Sequence, residues 1–280
     1  MIKKICLVIV TYNRRDVVLK NLECVYNQET KPDKIVVVDN CSQDDTLEVL
    51  KKQYPEVQLI KLEGNLGFAA GLAAGMTANI NDDFDYFWLM DDDSFPQPDF
   101  LRKQLENIHD ANFGILGSYG LIHNYFNQTK VDKGPIQEVD FVLVDCALVK
   151  TEVVRKIGVP NASIFMMCED LEYCKRINEA GYKVLCLPNE SISRLHLGSS
   201  NNTSSLKWRA YYHSRNHLYI LRRFFSFKNL CYFLSMQTKY IVSTLLRLKF
   251  DVFRLRMIGL YHGLISKTGK TLDPKTLKFK

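Results

Sequence analysis

The sequence predicts an α/β fold in which a mostly parallel sheet is flanked by helices and followed by a basic helical region. Four short apolar runs near the N-terminus alternate with segments of helical periodicity, the order of a parallel sheet joined by right-handed crossovers. These runs lack the apolar–polar alternation of a half-exposed strand, as expected when helices cover both faces of the sheet. From about residue 205 the pattern becomes helical and rich in lysine and arginine, which predicts the helical region.

The four N-terminal strands are predicted where apolar, mostly β-branched residues run up to a turn. They cover residues 5–10, 34–38, 57–62 and 86–90. Helical spacing predicts a helix after each of the first three strands. The second of these helices is expected to begin at Ser42, because Asp45 three residues later forms an acidic variant of the capping box. The third helix, from Ala69 to about Asn79, consists mostly of small residues.

The rest of the α/β region is less regular. Further strands are predicted at residues 114–119, 121–125, 139–144, 183–187 and 191–197. Shorter helices are predicted after Pro98 up to about His109, and at residues 151–157 and 170–180. Three basic helices follow, at residues 208–225, 229–250 and 252–266. We therefore expect an α/β domain over residues 1–205 and a helical region over residues 206–280.

Charge is distributed unevenly between these two regions. Residues 207–280 contain 16 Lys and Arg and two acids, whereas the preceding 206 residues contain 21 and 29, so the net charges are +14 and −8. Basic residues of the helical region are interleaved with aromatic and aliphatic ones, which is typical of a surface that binds anionic lipid. The alternatives are a helical bundle that packs on the α/β domain or on a second subunit, and a nucleic-acid surface, for which no recognition motif is present.

Other features of the chain concern its cellular location. The N-terminal residues run directly into the first strand without a small-residue cleavage site, and no stretch of about 18 uncharged apolar residues is present. The eight cysteines show no Cys-x-x-Cys pair and no regular spacing, so we interpret them as reduced core residues. We expect a cytoplasmic protein that associates peripherally with the inner face of the cell membrane.

Three consecutive aspartates, Asp91, Asp92 and Asp93, directly follow the fourth predicted strand. Neighbouring carboxylates repel one another, and burying them unpaired would cost several kcal/mol. A divalent cation removes this repulsion, and hard oxygen ligands suit Mg²⁺ or Mn²⁺. An acidic turn without a ligand is the alternative interpretation.

Polar residues also follow the other three strands. Thr11 follows the first strand, Asp39 the second, and Asn65 and Gly67 the third. Because open α/β sheets bind ligands at the carboxyl ends of their parallel strands, we expect these residues to meet the three aspartates at one edge. Hydrogen-bonding groups, a glycine-opened loop and a metal-binding cluster together suit a nucleotide with a diphosphate.

Four segments of the chain resemble the family 2 glycosyltransferases of the GT-A fold. They are residues 8–14 (VIVTYNR), 36–40 (VVVDN), 64–71 (GNLGFAAG) and 88–93 (WLMDDD). The resemblance covers about residues 3–220 and is best to a bacterial branch of rhamnosyltransferase- and galactofuranosyltransferase-like enzymes. It implies a GT-A catalytic domain over residues 1–205, a nucleotide-sugar donor, and Mn²⁺ or Mg²⁺ as the cofactor.

The resemblance also implies roles for individual residues. The nucleotide-binding residues that we expect are Thr11, Tyr12, Asn13, Arg14, Asp39, Asn65, Gly67, Asp91, Asp92 and Arg215. Within this set, the Thr11 region and Asp39 are expected to hold the base and ribose. Asp91 and Asp93 are expected to flank the metal ion, and His196 falls where the resembled branch supplies a histidine to that ion.

Residues 165–172 (FMMCEDLE) place three acids at the start of a predicted helix. Acids there interact favourably with the helix dipole, by about 0.3–1 kcal/mol each. In the resembled enzymes the position of Asp170 carries the general base, which takes the proton of the acceptor hydroxyl. Glu169 is the alternative base, and Glu172 is assigned either to the helix dipole or to a supporting role.

Two further features lie on the first basic helix. Residues 212–216 match a Tyr-x-x-Arg-Asn segment that is common in the resembled branch, and Arg215 is expected either to bind the diphosphate or to pack against the catalytic loop. His213 and His217 are four residues apart, as in some metal sites, but no third ligand is evident, so we interpret them as one helix face.

The predicted activity is inverting transfer of a sugar from UDP-galactofuranose, UDP-galactose or dTDP-rhamnose to a hydroxyl of a cell-surface glycan precursor. The expected partners are a lipid-linked or other glycan acceptor and an anionic membrane, without nucleic acid; an oligomer is compatible with the sequence. A nucleotidyltransferase is the first alternative, discounted because residues 11–15 contain no glycine. A non-catalytic scaffold is the second, and the intact aspartates and Asp170 argue against it.

Overall fold

The computed structural model describes residues 3–188, 192–194 and 207–280, and these ranges contain thirteen strands. The strands are β1 (Ile5–Thr11), β2 (Lys34–Asp39), β3 (Gln58–Lys61), β4 (Tyr86–Asp91), β5 (Ser94–Pro96), β6 (Phe113–Gly117), β7 (Gly120–His123), β8 (Gln128–Val131), β9 (Gln137–Glu138), β10 (Phe141–Val142), β11 (Ala147–Lys150), β12 (Lys183–Cys186) and β13 (Ile192–Arg194). The four N-terminal strands confirm the positions predicted from the apolar runs.

The same ranges contain nine helices. They are α1 (Arg15–Tyr26), α2 (Thr46–Gln53), α3 (Phe68–Asn79), α4 (Phe100–Glu106), α5 (Thr151–Ile157), α6 (Glu169–Glu179), α7 (Lys207–Arg223), α8 (Phe227–Leu246) and α9 (Phe250–Leu264). The prediction that the second helix begins at Ser42 is wrong. The Ser42 hydroxyl accepts the Asn13 N–H at 2.8 Å, and the Ser42 N–H donates to Asp39, so this serine belongs to a turn and the helix begins at Thr46.

Eight strands form one mixed sheet in the order β3-β2-β1-β4-β11-β6-β12-β9. β1 pairs in parallel with β2 and with β4, and β2 pairs in parallel with β3. Their carboxyl ends therefore lie along one edge, where Thr11 is in register with Asp39, and Val10 is in register with Asp91. This edge is where the predicted binding residues were expected to meet.

The centre of the sheet differs from the prediction. β11 runs antiparallel between β4 and β6, so the sheet is mostly but not wholly parallel. The single strand expected at residues 139–144 is wrong, because β10 covers only Phe141–Val142 and the chain turns before β11 begins. Cys146 in that turn has a φ of 56°, a left-handed backbone conformation that ends extended structure.

Helices cover both faces of the sheet, which explains the unbroken apolar runs. Along β1, Cys6, Val8 and Val10 pack into one core, with residues of α3, α5 and α6. The alternating residues Ile5, Leu7 and Ile9 pack into a second core, with residues of α1, α2 and α4. Side chains of successive strand residues point to opposite faces, so both sets must be apolar.

The small residues of α3 let this helix lie close to β1. A Cβ added at Gly71 would lie 2.5 Å from Val10 Cγ1, and one at Gly75 would lie 2.4 Å from Val8 Cγ1. Any larger residue would push the helix away from the sheet. The close approach holds the N-terminus of α3 against the carboxyl end of β1.

The helical region packs on the α/β region through hydrogen bonds as well as apolar contacts. Asn216 of α7 donates to the carbonyls of Met166 and Met167, at 2.8 Å each. Tyr232 of α8 donates to Gln128 Oε1 of β8 at 2.6 Å. No helix within the described parts of the chain combines the length and apolar character that crossing a bilayer requires.

Candidate active site

A cleft of about 230 Å³ opens at the carboxyl ends of β1, β2 and β4. Seven of the ten predicted nucleotide-binding residues line it: Thr11, Tyr12, Arg14, Asn65, Gly67, Asp91 and Asp92. The cleft also has apolar walls, formed by Phe68, Phe165, Met166 and Trp208. A mostly apolar cleft with a few convergent polar groups is the usual form of a small-molecule site.

Asp92 joins the loops that follow β1 and β4. Its carboxylate accepts a hydrogen bond from Thr11 Oγ1 at 2.7 Å and one from Arg14 Nη1 at 2.8 Å. Burial raises the pKa of this carboxyl group, while Arg14 and Thr11 oppose that shift. Because both carboxylate oxygens of Asp92 are already bonded, this residue fixes the shape of the cleft floor.

Asp91 has the opposite surroundings, dominated by other acids. Burial and then the carboxylates of Asp92, Asp145 and Asp93 hold its pKa well above the usual range. Oxygen atoms of Asp91, Asp92 and Asp93 lie within 4.8 Å of one another. A partly buried set of hard oxygen donors with excess negative charge fits a divalent cation such as Mg²⁺ or Mn²⁺.

Asp145 is a site residue that the sequence analysis missed. Its Oδ1 accepts the Asp91 N–H at 3.0 Å, and its Oδ2 accepts the Ser94 hydroxyl. It lies two residues before the start of β11. Because no strand was predicted there, nothing in the sequence placed this acid at the sheet edge. The only sequence signal for Asp145 was its position just before the apolar residues 147–149.

Gly67 shapes the loop at the start of α3. Its φ is 95°, and a Cβ at this position would lie 1.8 Å from the carbonyl oxygen of Phe165. Only glycine fits such an approach between two backbones. The Asn40 side chain, which was also not predicted, accepts the Leu66 N–H at 2.8 Å and donates to the Gly67 carbonyl at 3.1 Å, so it holds this loop against β2.

Two of the predicted nucleotide-binding residues, Asn13 and Asp39, do not line the cleft. Both oxygens of the buried Asp39 accept the Ser42 N–H, at 3.0 and 3.2 Å. Asn13 Oδ1 accepts the Gln43 N–H at 2.6 Å. These side chains shape the turn beside the cleft.

Arg215 also lies away from the cleft lining. Only 1% of this residue is exposed, and its Nη1 donates to the Gly269 carbonyl at 2.7 Å and to Thr271 Oγ1 at 2.8 Å. These contacts hold Arg215 against the C-terminal segment, whereas the packing role predicted for it was against the catalytic loop. Near the cleft the same helix instead places Arg209, whose pKa is lowered by burial and raised by the Asp93 carboxylate. His196, the expected third metal ligand, lies outside the described residues.

The two candidate bases begin α6 after a strained turn. Met167 and Cys168 have φ values of 71° and 67°, a conformation that non-glycine residues rarely adopt, and strain of this kind clusters at functional sites. Asp170 Oδ1 accepts the Val144 N–H at 3.0 Å. Since Asp145 bonds Asp91, two consecutive residues, Val144 and Asp145, connect the candidate base with the aspartate cluster.

Glu169 and Glu172 differ from Asp170 in their partners. Glu169 Oε2 is buried with no hydrogen-bond partner among the described residues, and burial followed by the Asp170 carboxylate raises the pKa of Glu169 to about 8. Glu172 forms an ion pair with Arg176, at 2.9 and 3.1 Å. Arg176 also donates to the carbonyls of Ile157 and Val159, so Glu172 stabilises the packing of α6.

The sheet edge and the acidic cleft place this chain among α/β proteins with a ligand cleft at the carboxyl ends of parallel strands. The profile described as "Glycosyl transferase family 2" matches residues 6–155, and the chain belongs to this family. It is a glycosyltransferase. The family match does not favour the nucleotidyltransferase alternative.

Relatives and solved structures agree with this assignment. The chain is 26% identical over 255 residues to the galactofuranosyltransferase GlfT1 of Mycolicibacterium smegmatis, covering 82% of this chain and 83% of that protein. It is 34% identical over 112 residues to the uncharacterized glycosyltransferase YwdF of Bacillus subtilis, covering 39% and 40%.

Two solved structures show the same fold. The mannosyltransferase PcManGT from Pyrobaculum calidifontis, in complex with GDP-Man and Mn²⁺, has a TM-score of 0.61 at 14% identity, covering 95% of this chain and 88% of that one. S. aureus TarS 1-349 has a TM-score of 0.55 at 16% identity, covering 78% and 65%. The expected GT-A-like α/β fold is thereby confirmed, including its C-terminal helical region.

Proposed function

We propose that this chain is an inverting, metal-dependent glycosyltransferase that moves a sugar from a nucleotide-sugar donor to a hydroxyl of a glycan precursor. The observation that carries the proposal is the link between the two acidic groups. Val144 bonds Asp170 and the adjacent Asp145 bonds Asp91, so one dipeptide fixes the candidate base relative to the aspartate cluster. A non-catalytic scaffold would not require Asp170 to be fixed relative to the aspartate cluster.

The donor is proposed to occupy the cleft between the ends of β1 and β4. Thr11, Tyr12 and the Asn65–Gly67 loop would bind the nucleoside, and Arg14 and Arg209 would face its diphosphate. Similarity to a galactofuranosyltransferase over most of the chain supports UDP-galactofuranose as the first donor to test. UDP-galactose and dTDP-rhamnose are the next candidates.

Asp91 and Asp93 are proposed to hold the divalent cation, with His196 as a further ligand. The acidic surroundings of Asp91 support this assignment, as does Mn²⁺ in the complex of the mannosyltransferase with the same fold. When bound, such a cation supplies Lewis-acid stabilisation of the negative charge on a leaving diphosphate. Asp92 is already bonded by Thr11 and Arg14 and is proposed to position the loops around the donor.

Asp170 is proposed to be the general base of a single displacement. The acceptor oxygen forms a bond to the anomeric carbon, the bond from that carbon to the diphosphate oxygen breaks, and the hydroxyl proton passes to the Asp170 carboxylate. The electron pair leaves with the nucleoside diphosphate, so the anomeric configuration inverts. The Val144 N–H orients the Asp170 carboxylate, whereas Glu169 Oε2 is buried, which supports Asp170 over Glu169.

The acceptor is proposed to be carried on a lipid at the inner face of the cell membrane. The turn between α8 and α9 exposes Leu246, Leu248 and Phe250 by 79%, 73% and 62%, with Arg247 and Lys249 between them. Leu248 has a φ of 52°, so a strained backbone places this leucine in solvent. Apolar side chains alternating with basic ones suit the surface of an anionic bilayer.

The proposal is tested by hydrolysis and transfer assays on UDP- and dTDP-sugars with Mg²⁺ or Mn²⁺. We expect Asp91→Asn and Asp93→Asn to abolish both donor hydrolysis and cation binding measured by calorimetry. Asp170→Asn is expected to lower transfer by about 10²–10⁴-fold, the usual contribution of a general base, while hydrolysis of the donor persists. Asp83→Asn changes a carboxylate that is 95% exposed and serves as the control. Undiminished transfer by the Asp91→Asn/Asp93→Asn variant would refute the proposal.

A further inference from the structure

A second cavity lies beside the segment that carries the candidate bases. It measures about 220 Å³, and its walls come from β7 and β8, from the 167–171 segment, and from α7 and α8. We call it the ring cavity. Phe165 and Met166 line the donor cleft, whereas Met167 and Cys168 line the ring cavity, so one short segment borders both spaces. Asp170 lines the ring cavity and not the cleft.

We propose that the ring cavity binds one neutral sugar ring of the acceptor and presents a hydroxyl of that ring to Asp170. This inference rests on the proposed function, since it takes Asp170 as the base. A single displacement requires the acceptor to approach opposite the leaving group, and a base that faces a space of its own beside the donor cleft suits that requirement.

The volume of the ring cavity limits the size of its ligand. An apolar cavity of about 150 Å³ accepts one benzene ring, and pockets for drug-sized molecules measure about 300–1,000 Å³. At about 220 Å³ the ring cavity accommodates one monosaccharide ring and not an oligosaccharide. The remainder of a longer acceptor would extend out of it.

Two histidines that line the ring cavity each have a buried ring nitrogen with no hydrogen-bond partner among the described residues. These nitrogens are Nε2 of His123, a residue only 3% exposed, and Nδ1 of His213. Burial lowers the pKa of each histidine to about 4, so both imidazoles are neutral at physiological pH. A neutral imidazole offers one donor and one acceptor, which match the hydroxyl groups of a sugar. Unpartnered buried nitrogens are uncommon, and a bound hydroxyl group or an ordered water would satisfy them.

Aromatic rings supply the apolar part of the ring cavity. Tyr232 stacks on His123 with 4.0 Å between ring centroids, and Tyr240 contacts His213 edge-on at 5.3 Å. Phe141 closes another wall. The carbon-bound face of a sugar ring buries apolar surface against such rings, while its hydroxyls reach the polar atoms between them.

The composition of the lining favours a neutral ligand. Asp170 is the only acid among the described lining residues, and none of them is a lysine or arginine. A phosphate or uronic acid would face the Asp170 carboxylate, and no lysine or arginine among the described lining residues would offset that repulsion. α7 and α8 lie outside the region matched by the family profile, so part of the cavity wall comes from beyond that region.

The test uses the full chain and a panel of methyl glycosides, including the galactofuranoside, galactopyranoside, rhamnopyranoside and mannopyranoside. Binding is measured by ligand-observed NMR, and transfer from the active donor is measured in parallel. We expect at least one neutral glycoside to bind, and binding to weaken at least about tenfold in His123→Phe, which removes one hydrogen bond, and in Tyr240→Trp, which fills the space. Donor hydrolysis is measured for both variants to show whether the donor cleft is intact.

His109→Phe is the control, because it replaces an exposed histidine away from both sites. Circular dichroism verifies folding, and if His123→Phe unfolds, Tyr240→Trp decides the result. The inference is overturned if no neutral glycoside binds, if binding survives both substitutions, or if methyl glucuronide binds better than the neutral sugars. Glycoside binding in the ring cavity without hydrolysis of any nucleotide sugar would instead overturn the proposed function alone.

Discussion

The individual carboxylates of this site differ in role and in protonation because the groups around them differ. Asp92 has a hydroxyl and a guanidinium as partners and stays fixed between two loops. Asp91 is surrounded by other acids, so its pKa is raised, and a cation would relieve the repulsion. Glu169 Oε2 is buried with no partner among the described residues, so its carboxyl group favours the protonated form. The groups around each carboxylate therefore determine whether it holds two loops together, suits a cation or takes up a proton.

Glu169 is expected to make stability depend on pH. Its pKa is about 8 in the folded protein against an ordinary value of 4.5, so between these pH values the folded state binds more protons than the unfolded state. This contribution to stability is complete below about pH 4.5 and is lost as pH rises through 8. Glu169→Gln removes the penalty, so we expect its advantage over wild type to grow with pH, to about 1–3 kcal/mol at pH 9.

Urea unfolding of both proteins between pH 4 and pH 9 measures this difference. Glu172→Gln is the matched control on the same helix, because it breaks the ion pair with Arg176 and should destabilise at neutral pH. A constant difference between Glu169→Gln and wild type at every pH would show that Glu169 is ionised in the folded protein.

At the scale of elements, strands were predictable where the apolar pattern is unambiguous. β1, β2 and β4 are buried on both faces, so their sequences carry the signal by themselves. β11 was missed because it is short and follows a turn at Cys146, and Asp145 was missed with it. The packing of Arg215 could not be predicted either, because its partners Gly269 and Thr271 lie more than 50 residues away along the chain.

Arg215 connects α7 with the C-terminal segment, and its replacement distinguishes packing from nucleotide binding. Arg215→Lys keeps the positive charge but loses the planar guanidinium group that donates hydrogen bonds to Gly269 and Thr271. We expect the free energy of unfolding to fall by about 1–3 kcal/mol with the KM for the donor unchanged. Arg14→Lys is the comparison, because Arg14 lines the cleft and its replacement should raise that KM. A raised KM without loss of stability in Arg215→Lys would restore its role at the diphosphate.

At the scale of the whole molecule, the helical region contributes to both spaces of the site and also faces outward. Trp208 of α7 lines the cleft, while α7 and α8 form walls of the ring cavity. Its positive charge is opposite to that of the α/β region. Packing on the domain and contact with a membrane are therefore compatible roles, because different faces of the same helices serve them.

The turn between α8 and α9 is expected to bind anionic bilayers. Each basic residue near an anionic surface contributes about 1 kcal/mol, so Arg247→Glu/Lys249→Glu should weaken binding to phosphatidylglycerol vesicles at least about 30-fold. Leu246→Ser/Leu248→Ser should weaken it through lost apolar burial, with less dependence on salt. Vesicle co-sedimentation measures both, and neutral phosphatidylcholine vesicles should bind weakly.

Lys51→Glu/Lys52→Glu is the matched control, because it changes the net charge equally at exposed positions on α2. If this control weakens vesicle binding as much as the double substitution in the turn, overall charge and not the turn governs the association. If the wild-type chain fails to bind anionic vesicles, the exposed leucines do not form a membrane-binding surface. The proposal of a lipid-linked acceptor would then no longer be supported. Binding that requires both the basic and the apolar residues of the turn would place the membrane next to the helices that form the ring cavity.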